Sequence, residues 1–238
     1  MREHEINTEV RRIQAVYAQR EAGARKDRQN PGRKLLVAER DRKFARVLKH
    51  HLTLPLETAQ VLDVGCGDGS QLAWLRAAGA KPHNLNGIDL LPDKIDRARR
   101  LYPDFNLVNL NAEVLPFADR SFDLLLVMTV FSSILDPNMA RNVSGEMTRV
   151  LRPGGLILWY DIRYPNPWNS NVRAMTRRRI ADLFPNFTLT LESATLLPQL
   201  ARALGHLNDA TLTYAYTGLA MLPLLRSHLL GVVRAPAS

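Results

Sequence analysis

The sequence predicts an α/β fold, a doubly wound and mostly parallel sheet covered by helices on both faces. Three observations carry this. From residue 59 onward, short apolar runs alternate with stretches patterned as helices. One run, Leu124-Leu-Leu-Val-Met128, has no polar alternation, so both of its faces must be buried. A glycine-dense turn, Gly65-Cys-Gly-Asp-Gly69, follows the first run, at the strand end where such a sheet places its ligand crevice.

The elements follow in order. Residues 5–22 and 33–52 read as two amphipathic helices, broken by the loop 27–32 at Pro31-Gly32. The apolar runs are Ala59–Val64, Leu85–Asp89, Phe105–Leu110, Phe122–Met128 and Leu156–Tyr160. Helical stretches lie near 70–79, 92–101 and 137–151. Phe187–Glu192 reads as a sixth strand. The leucine-rich segment 193–225 reads as two helices divided near Gly205–Asp209, about thirty residues more than a hairpin connection needs. The domain division is a helical cap over 1–58 and an α/β domain over 59–238, with 193–225 as an insertion.

Composition bounds the class. The chain has 238 residues, 46% hydrophobic and 23% charged, enough to bury one sizeable core. The first residues are charged and carry no apolar signal core, and no apolar stretch reaches the roughly 18 residues of a membrane span. A soluble, cytoplasmic chain is expected. The lone Cys66 excludes an intramolecular disulfide and a multi-cysteine zinc site, and no metal-ligand cluster stands out. The net charge of +9 is uneven: residues 1–60 carry +6, 61–160 carry −1 and 161–238 carry +4. Basic flanks around a neutral middle suit an anionic membrane surface, nucleic acid or an acidic substrate. The clusters Arg25–Arg28 and Arg177–Arg179 lack the interleaved aromatics of a single-strand stacking platform, which disfavours nucleic acid.

The densest signal is Val61-Leu-Asp-Val-Gly-Cys-Gly-Asp-Gly-Ser70, a strand, a turn with glycines at 65, 67 and 69, and a helix start. Asp89 ends the next strand 20 residues after Gly69, where a carboxylate can accept from both hydroxyls of a ribose. The spacing is G-x-G-x-G, not the G-x-G-x-x-G of a dinucleotide site, and no Gly-Lys-Ser/Thr of a P-loop is present. Asp63 and Asp68 repel a pyrophosphate and suit a ligand carrying an ammonium or sulfonium cation.

These residues resemble the class I S-adenosylmethionine-dependent methyltransferases of the type 11 kind, over about residues 59–160. The resemblance implies a Rossmann-like, seven-stranded sheet with an antiparallel last strand, here His228–Arg234. It implies S-adenosyl-L-methionine as cofactor and S-adenosyl-L-homocysteine as product. Asp63, Gly65, Cys66, Gly67, Gly69 and Ser70 match the motif that cradles the methionine part. Asp89 matches the ribose acid, Leu90 lies beside the adenine, and Asn111-Ala112-Glu113 stand near the adenine amino group. Ser121-Phe-Asp123 and Val150-Leu-Arg-Pro-Gly-Gly-Leu156 match the remaining landmarks, and Thr129 and Phe131 follow the fourth strand at the cofactor. Where many relatives carry a histidine pair, this sequence has Ser132 and Ser133, so the usual general base is missing.

An antiparallel last strand would start at the cofactor edge, which makes His228 the candidate general base. The aromatic loop Trp159–Trp168 leaves the same edge, with Asp161 and Tyr164 as further catalytic candidates and Arg163 beside them. Capping by Asp161 and core filling by Trp159 and Trp168 is the competing reading of that loop. In look-alike enzymes the N-terminal helices form a lid, which singles out Tyr17, Arg20 and Arg40. The expected reaction is methyl transfer to an oxygen of a small-molecule, sugar or lipid-linked acceptor. The insertion is expected to cover the acceptor, to meet a membrane surface at its inner face, or to make a homodimer contact. The alternatives are an RNA-directed methyltransferase, although the amino-group motif is absent at Thr129-Val-Phe-Ser132, and a non-catalytic cofactor-binding scaffold.

Overall fold

A computed structural model of the protein describes residues 2–165 and 169–237. Two long helices come first, α1 (Arg2–Gln29) and α2 (Pro31–His51). The loop expected at 27–32 is a single residue, because Pro31 opens α2 rather than ending α1. Asn30 is extended, its side chain accepts from the Arg33 N–H, and proline at the first helical position has no N–H to satisfy. Gly32 belongs to a crossing: a Cβ there would stand 1.7 Å from the carbonyl oxygen of Ala201.

The α/β part runs β1 (Val61–Val64), α3 (Ser70–Ala77), β2 (Leu85–Asp89), α4 (Pro92–Leu101), β3 (Asn106–Asn109), β4 (Phe122–Met128), α5 (Pro137–Val150) and β5 (Leu151–Ile162). Then come α6 (Arg177–Leu183), β6 (Thr188–Leu196), α7 (Pro198–Leu204), α8 (Asp209–Ala220) and β7 (Arg226–Arg234). The seven strands form one sheet in the order β3-β2-β1-β4-β5-β7-β6. The first five are parallel, and β7 is antiparallel to both β5 and β6. β6 takes the first residues assigned by sequence to the insertion, and α6 was not expected: its seven residues bury only Ile180, too little for a periodic signal.

Both faces of β4 are covered, as its unbroken apolar run requires. Leu125 and Val127 join Val64, Trp159, Met147, Phe184 and Ile13 of α1 on one face. Leu124 and Leu126 join Tyr160, Leu72, Ile95, and Phe44 and Leu48 of α2 on the other. The second helix is thus a layer of the sheet. A third, small cluster of Leu196, Ala201, Tyr216 and Ala220 seats α7 and α8 on Leu35 and Leu36 of α2.

Candidate functional site

The chain leaves β1 at Val64, and the N–H groups of Gly65 and Cys66 both donate to the carbonyl of Ile88, at 2.8 and 2.9 Å. This ties the glycine turn to the end of β2. Gly65 and Gly67 have φ of 78° and 55°, a region costly for side chains bearing a Cβ. A Cβ on Gly65 would lie 2.5 Å from Val130, whereas one on Gly67 would meet no protein atom within 4 Å. Gly67 therefore presents bare backbone to open space. Its N–H donates to Asp89 Oδ2 at 2.8 Å, and that of Leu91 donates to Asp89 Oδ1 at 2.9 Å. Burial raises the Asp89 carboxyl above its ordinary range, against the pull of these two N–H groups.

A cavity of about 190 Å³ opens beside this edge. It is smaller than the ~300 Å³ at which ligand clefts usually begin, and Ile13 and Tyr17 of α1 are part of its lining. Of the residues expected to hold a cofactor, Gly65, Gly67, Asp89, Leu90, Asn111, Ala112 and Thr129 line it. Six do not. Asp63 is buried inside β1, Cys66 faces the core and Gly69 packs against Tyr102 as the cap of α3. Ser70 is exposed, Glu113 bonds to Asn111 and Asn142, and Phe131 is stacked on Trp159 at 5.3 Å in the core.

A second cavity, of about 1060 Å³, adjoins the first, and Tyr17, Met128, Thr129 and Ser133 line both. Thr129 stands at this junction with φ of 56°, an outlying conformation for a β-branched residue. Its N–H donates to the Tyr160 carbonyl at 2.8 Å, which holds the turn. Leu36, Val37, Leu197, Leu200 and Ile162 form an apolar wall, and Arg20, Arg33, Arg40, Arg202 and Asp27 a charged rim. Tyr17, Arg20 and Arg40, singled out by sequence, all face this space.

His228 lines the second cavity beside the end of β5, paired with Ile162 across the ladder. Its Nδ1 is 2.8 Å from the hydroxyls of both Thr195 and Ser227, and its ring is stacked on Tyr160 at 4.3 Å. Burial, and then the charge of Arg40, push its pKa down to about 3, so the imidazole is neutral. Tyr164 also lines this cavity, under the Arg163 guanidinium. Asp161 lines neither. Its Oδ2 accepts from the Ser132 N–H at 3.0 Å and its Oδ1 from the Ile162 N–H at 2.8 Å, which pins the turn after β4. Burial raises Asp161 to about 6 despite these bonds. Trp159 is fully buried, and Trp168 lies outside the described residues.

Asp63 has a buried Oδ2 with no hydrogen-bond partner. Burial, then repulsion from Asp89, pushes its carboxyl up to about 8, with Arg40 pulling the other way. Such an orphaned acceptor beside a glycine cradle fits a cationic group of a ligand. Sequence reasoning missed Ile13, Lys94, Met128, Val130, Met139 and Val143 as lining residues of the first cavity. Lys94, in the first turn of the helix that follows Asp89, was the one with a positional signal. The others are ordinary apolar residues whose place at the cavity only folding decides.

The comparisons with known proteins agree with this geometry. Residues 61–155 match the family described as a methyltransferase domain. The chain is 34% identical over 131 residues to phthiotriol/phenolphthiotriol dimycocerosates methyltransferase 1 of Mycobacterium ulcerans, covering 53% of this chain and 47% of that protein. It is 39% identical over 110 residues to a fatty-acid O-methyltransferase of Mycolicibacterium smegmatis, covering 45% of this chain and 39% of that one. The chain thus spans about half the length, or less, of these curated relatives. Geranyl diphosphate C-methyltransferase of Streptomyces coelicolor A3(2), solved with S-adenosyl-L-homocysteine, shares the fold with a TM-score of 0.60 at 16% identity, over 82% of this chain and 77% of that one. Residues 61–155, which hold the glycine turn, Asp89 and strands β1 to β4, thus match a methyltransferase domain, and the chain shares the fold of a solved methyltransferase.

Proposed function

We propose that this protein transfers a methyl group from S-adenosylmethionine to an oxygen of a small-molecule or lipid-like acceptor. The observation that carries this is the meeting of two cavities at Met128, Thr129, Ser133 and Tyr17, one on the glycine edge and one with an apolar wall. The similarity to a phthiotriol/phenolphthiotriol dimycocerosates methyltransferase and to a fatty-acid O-methyltransferase supports a lipid-like acceptor.

The cofactor supplies a methyl group activated on a sulfonium, and the chain supplies position and exclusion of water. Asp89 holds the ribose hydroxyls on the lone pairs its two N–H partners leave free. Gly67 lets the methionine part lie on the backbone, and the unpartnered Oδ2 of Asp63, buried in β1 behind that turn, is the acceptor its ammonium draws on. Leu90, Asn111 and Ala112 flank the adenine. Tyr17, bonded to Ser133 Oγ at 3.0 Å, closes the junction from above. His228 and Tyr164 offer polar contacts to the acceptor, and Asp161 positions the turn between the cavities.

Calorimetric titration with S-adenosylhomocysteine, with NAD as control, tests the cofactor assignment. Asp89→Ala is expected to weaken binding by about 1–3 kcal/mol, the scale of a hydrogen bond to a charged group. Tighter binding of NAD, or an unaffected Asp89→Ala variant, would sink the reading.

A further inference from the structure

The second cavity carries a cationic rim. Its lining carries four arginines, Arg20, Arg33, Arg40 and Arg202, against one carboxylate, Asp27. That carboxylate is already shared by two of them, Arg33 at 2.9 Å and Arg202 at 2.5 Å. Arg20 lies with its guanidinium 5.1 Å from the Tyr17 ring, and no ion pair to it is formed among the described residues. Arg40 bonds Asp41 through Nε and one terminal nitrogen, both to Oδ1, which leaves Nη1 over. It sits 5.9 Å from the ring centroid of Tyr160, against which His228 is stacked, with only 15% of its side chain exposed. An arginine excess on the rim of a space with an apolar wall, with Arg40 largely covered, is a receptor for an amphiphilic anion.

The same cavity offers a hydroxyl's proton only a weakly basic acceptor, the buried His228 beside Arg40. A neutral hydroxyl must lose its proton as it is methylated. His228 has its Nδ1 against two hydroxyls and Arg40 close by. Both oxygens of Asp161 are held by backbone N–H groups away from the cavity, and Asp27 lies between two guanidinium groups. An acceptor that arrives already ionised needs none of them.

Resting on the methyl-transfer reading above, we infer that the methylated oxygen belongs to a carboxylate on an apolar chain, held by Arg20 and Arg40 with the chain along Leu36, Val37, Leu197 and Leu200. The carboxylate oxygen forms the new C–O bond to the methyl carbon while the C–S bond breaks and its electron pair stays on sulfur. An anion and a sulfonium become a neutral ester and a neutral thioether, and no proton has to be placed. In this scheme His228 is a neutral contact that shapes the cavity floor.

The test offers dodecanoate and dodecan-1-ol to the protein with S-adenosylmethionine carrying a labelled methyl group. The expected result is label on dodecanoate alone, released as volatile methanol by alkali because it is an ester. Calorimetry of dodecanoate with the S-adenosylhomocysteine-loaded protein gives a readout independent of turnover. Arg20→Gln and Arg40→Gln are each expected to weaken dodecanoate binding at least about tenfold, with Arg20→Lys recovering part of it, and to leave S-adenosylhomocysteine affinity within about twofold. Alkali-stable label, preference for the alcohol, or no binding and no transfer of dodecanoate while S-adenosylhomocysteine still binds would each overturn the inference. Loss of S-adenosylhomocysteine binding in Arg40→Gln would give that arginine to the cofactor and overturn its assignment here. Failure of the wild-type protein to bind S-adenosylhomocysteine would instead refute the cofactor reading itself.

Discussion

At the scale of single residues, Asp63 couples the glycine edge to stability. Its carboxyl, with Oδ2 unpartnered inside the sheet, is raised to about 8 by burial and then by Asp89, against about 3.9 for an exposed aspartate. Above the unfolded value the native state holds the extra proton. The resulting stability is fully present below about pH 4 and is lost as pH rises through about 8. Asp63→Asn is therefore expected to melt higher than wild type above about pH 8, with the gap closing toward about pH 5, while binding S-adenosylhomocysteine more weakly. Melting curves across that range, with titrations alongside, check both signs. Gly67→Ala separates fold from function in the other direction. Its Cβ meets no protein atom, so the fold should lose only the roughly 1–2 kcal/mol of a left-handed alanine, while the cofactor loses its place on the backbone. The glycines and Asp89 were legible because turn chemistry and spacing are local. The isolation of Asp63 was not, since it depends on what lies around β1.

At the scale of elements, α1 is clipped over the first cavity by three contacts. Glu9 accepts from the N–H of Leu135 at 2.6 Å, Arg12 donates to the Ser133 carbonyl at 2.6 Å, and Tyr17 bonds the Ser133 hydroxyl. Burial raises the Glu9 carboxyl, but Arg12 and the N–H groups of Leu135 and Asp136 outweigh it and bring the pKa below the usual value. The stability Glu9 contributes is thus present above the ordinary glutamate range and lost as pH falls through its lower native value. Glu9→Ala should cost about 1–3 kcal/mol and speed both amide exchange at Leu135 and release of S-adenosylhomocysteine. At the other end of the arm, α2 crosses α7 at Gly32. Gly32→Ala forces a methyl into the Ala201 carbonyl, which should destabilise by about 1–3 kcal/mol or more and displace Leu197 and Leu200 from the apolar wall of the second cavity. Acceptor binding should suffer while S-adenosylhomocysteine affinity holds, a split that paired titrations would reveal. The strands and the helices α3, α4 and α5 could be placed from apolar periodicity. α6 could not, and Pro31-Gly32 was misread as a loop because proline marks a helix start as well as an end.

At the scale of the whole molecule, the cavity on the glycine edge draws on β1, β2, β4, α1 and α5, so a ligand bound there should stabilise the entire fold. S-adenosylhomocysteine at about 100 times its Kd should add about 2.7 kcal/mol, or roughly 5–10 °C in Tm for a chain of this size. A thermal scan with and without ligand measures this, and no shift would contradict a shared site. Among the described residues no helix is long and apolar enough to cross a membrane, and no cluster of His, Cys, Asp and Glu is placed to hold a metal. The sequence by itself determined the parallel core, the G-x-G-x-G turn, the acid 20 residues on and the basic arm, because each is a matter of periodicity, spacing or composition within a short stretch. Only the tertiary structure decided that Arg20 and Arg40 face one cavity with His228, that Asp161 is spent on the Ser132 turn, and that Phe131 belongs to the core. Those outcomes join residues from about thirty to about two hundred positions apart, and such distances are closed by packing the two helix layers onto the sheet, which no local pattern encodes.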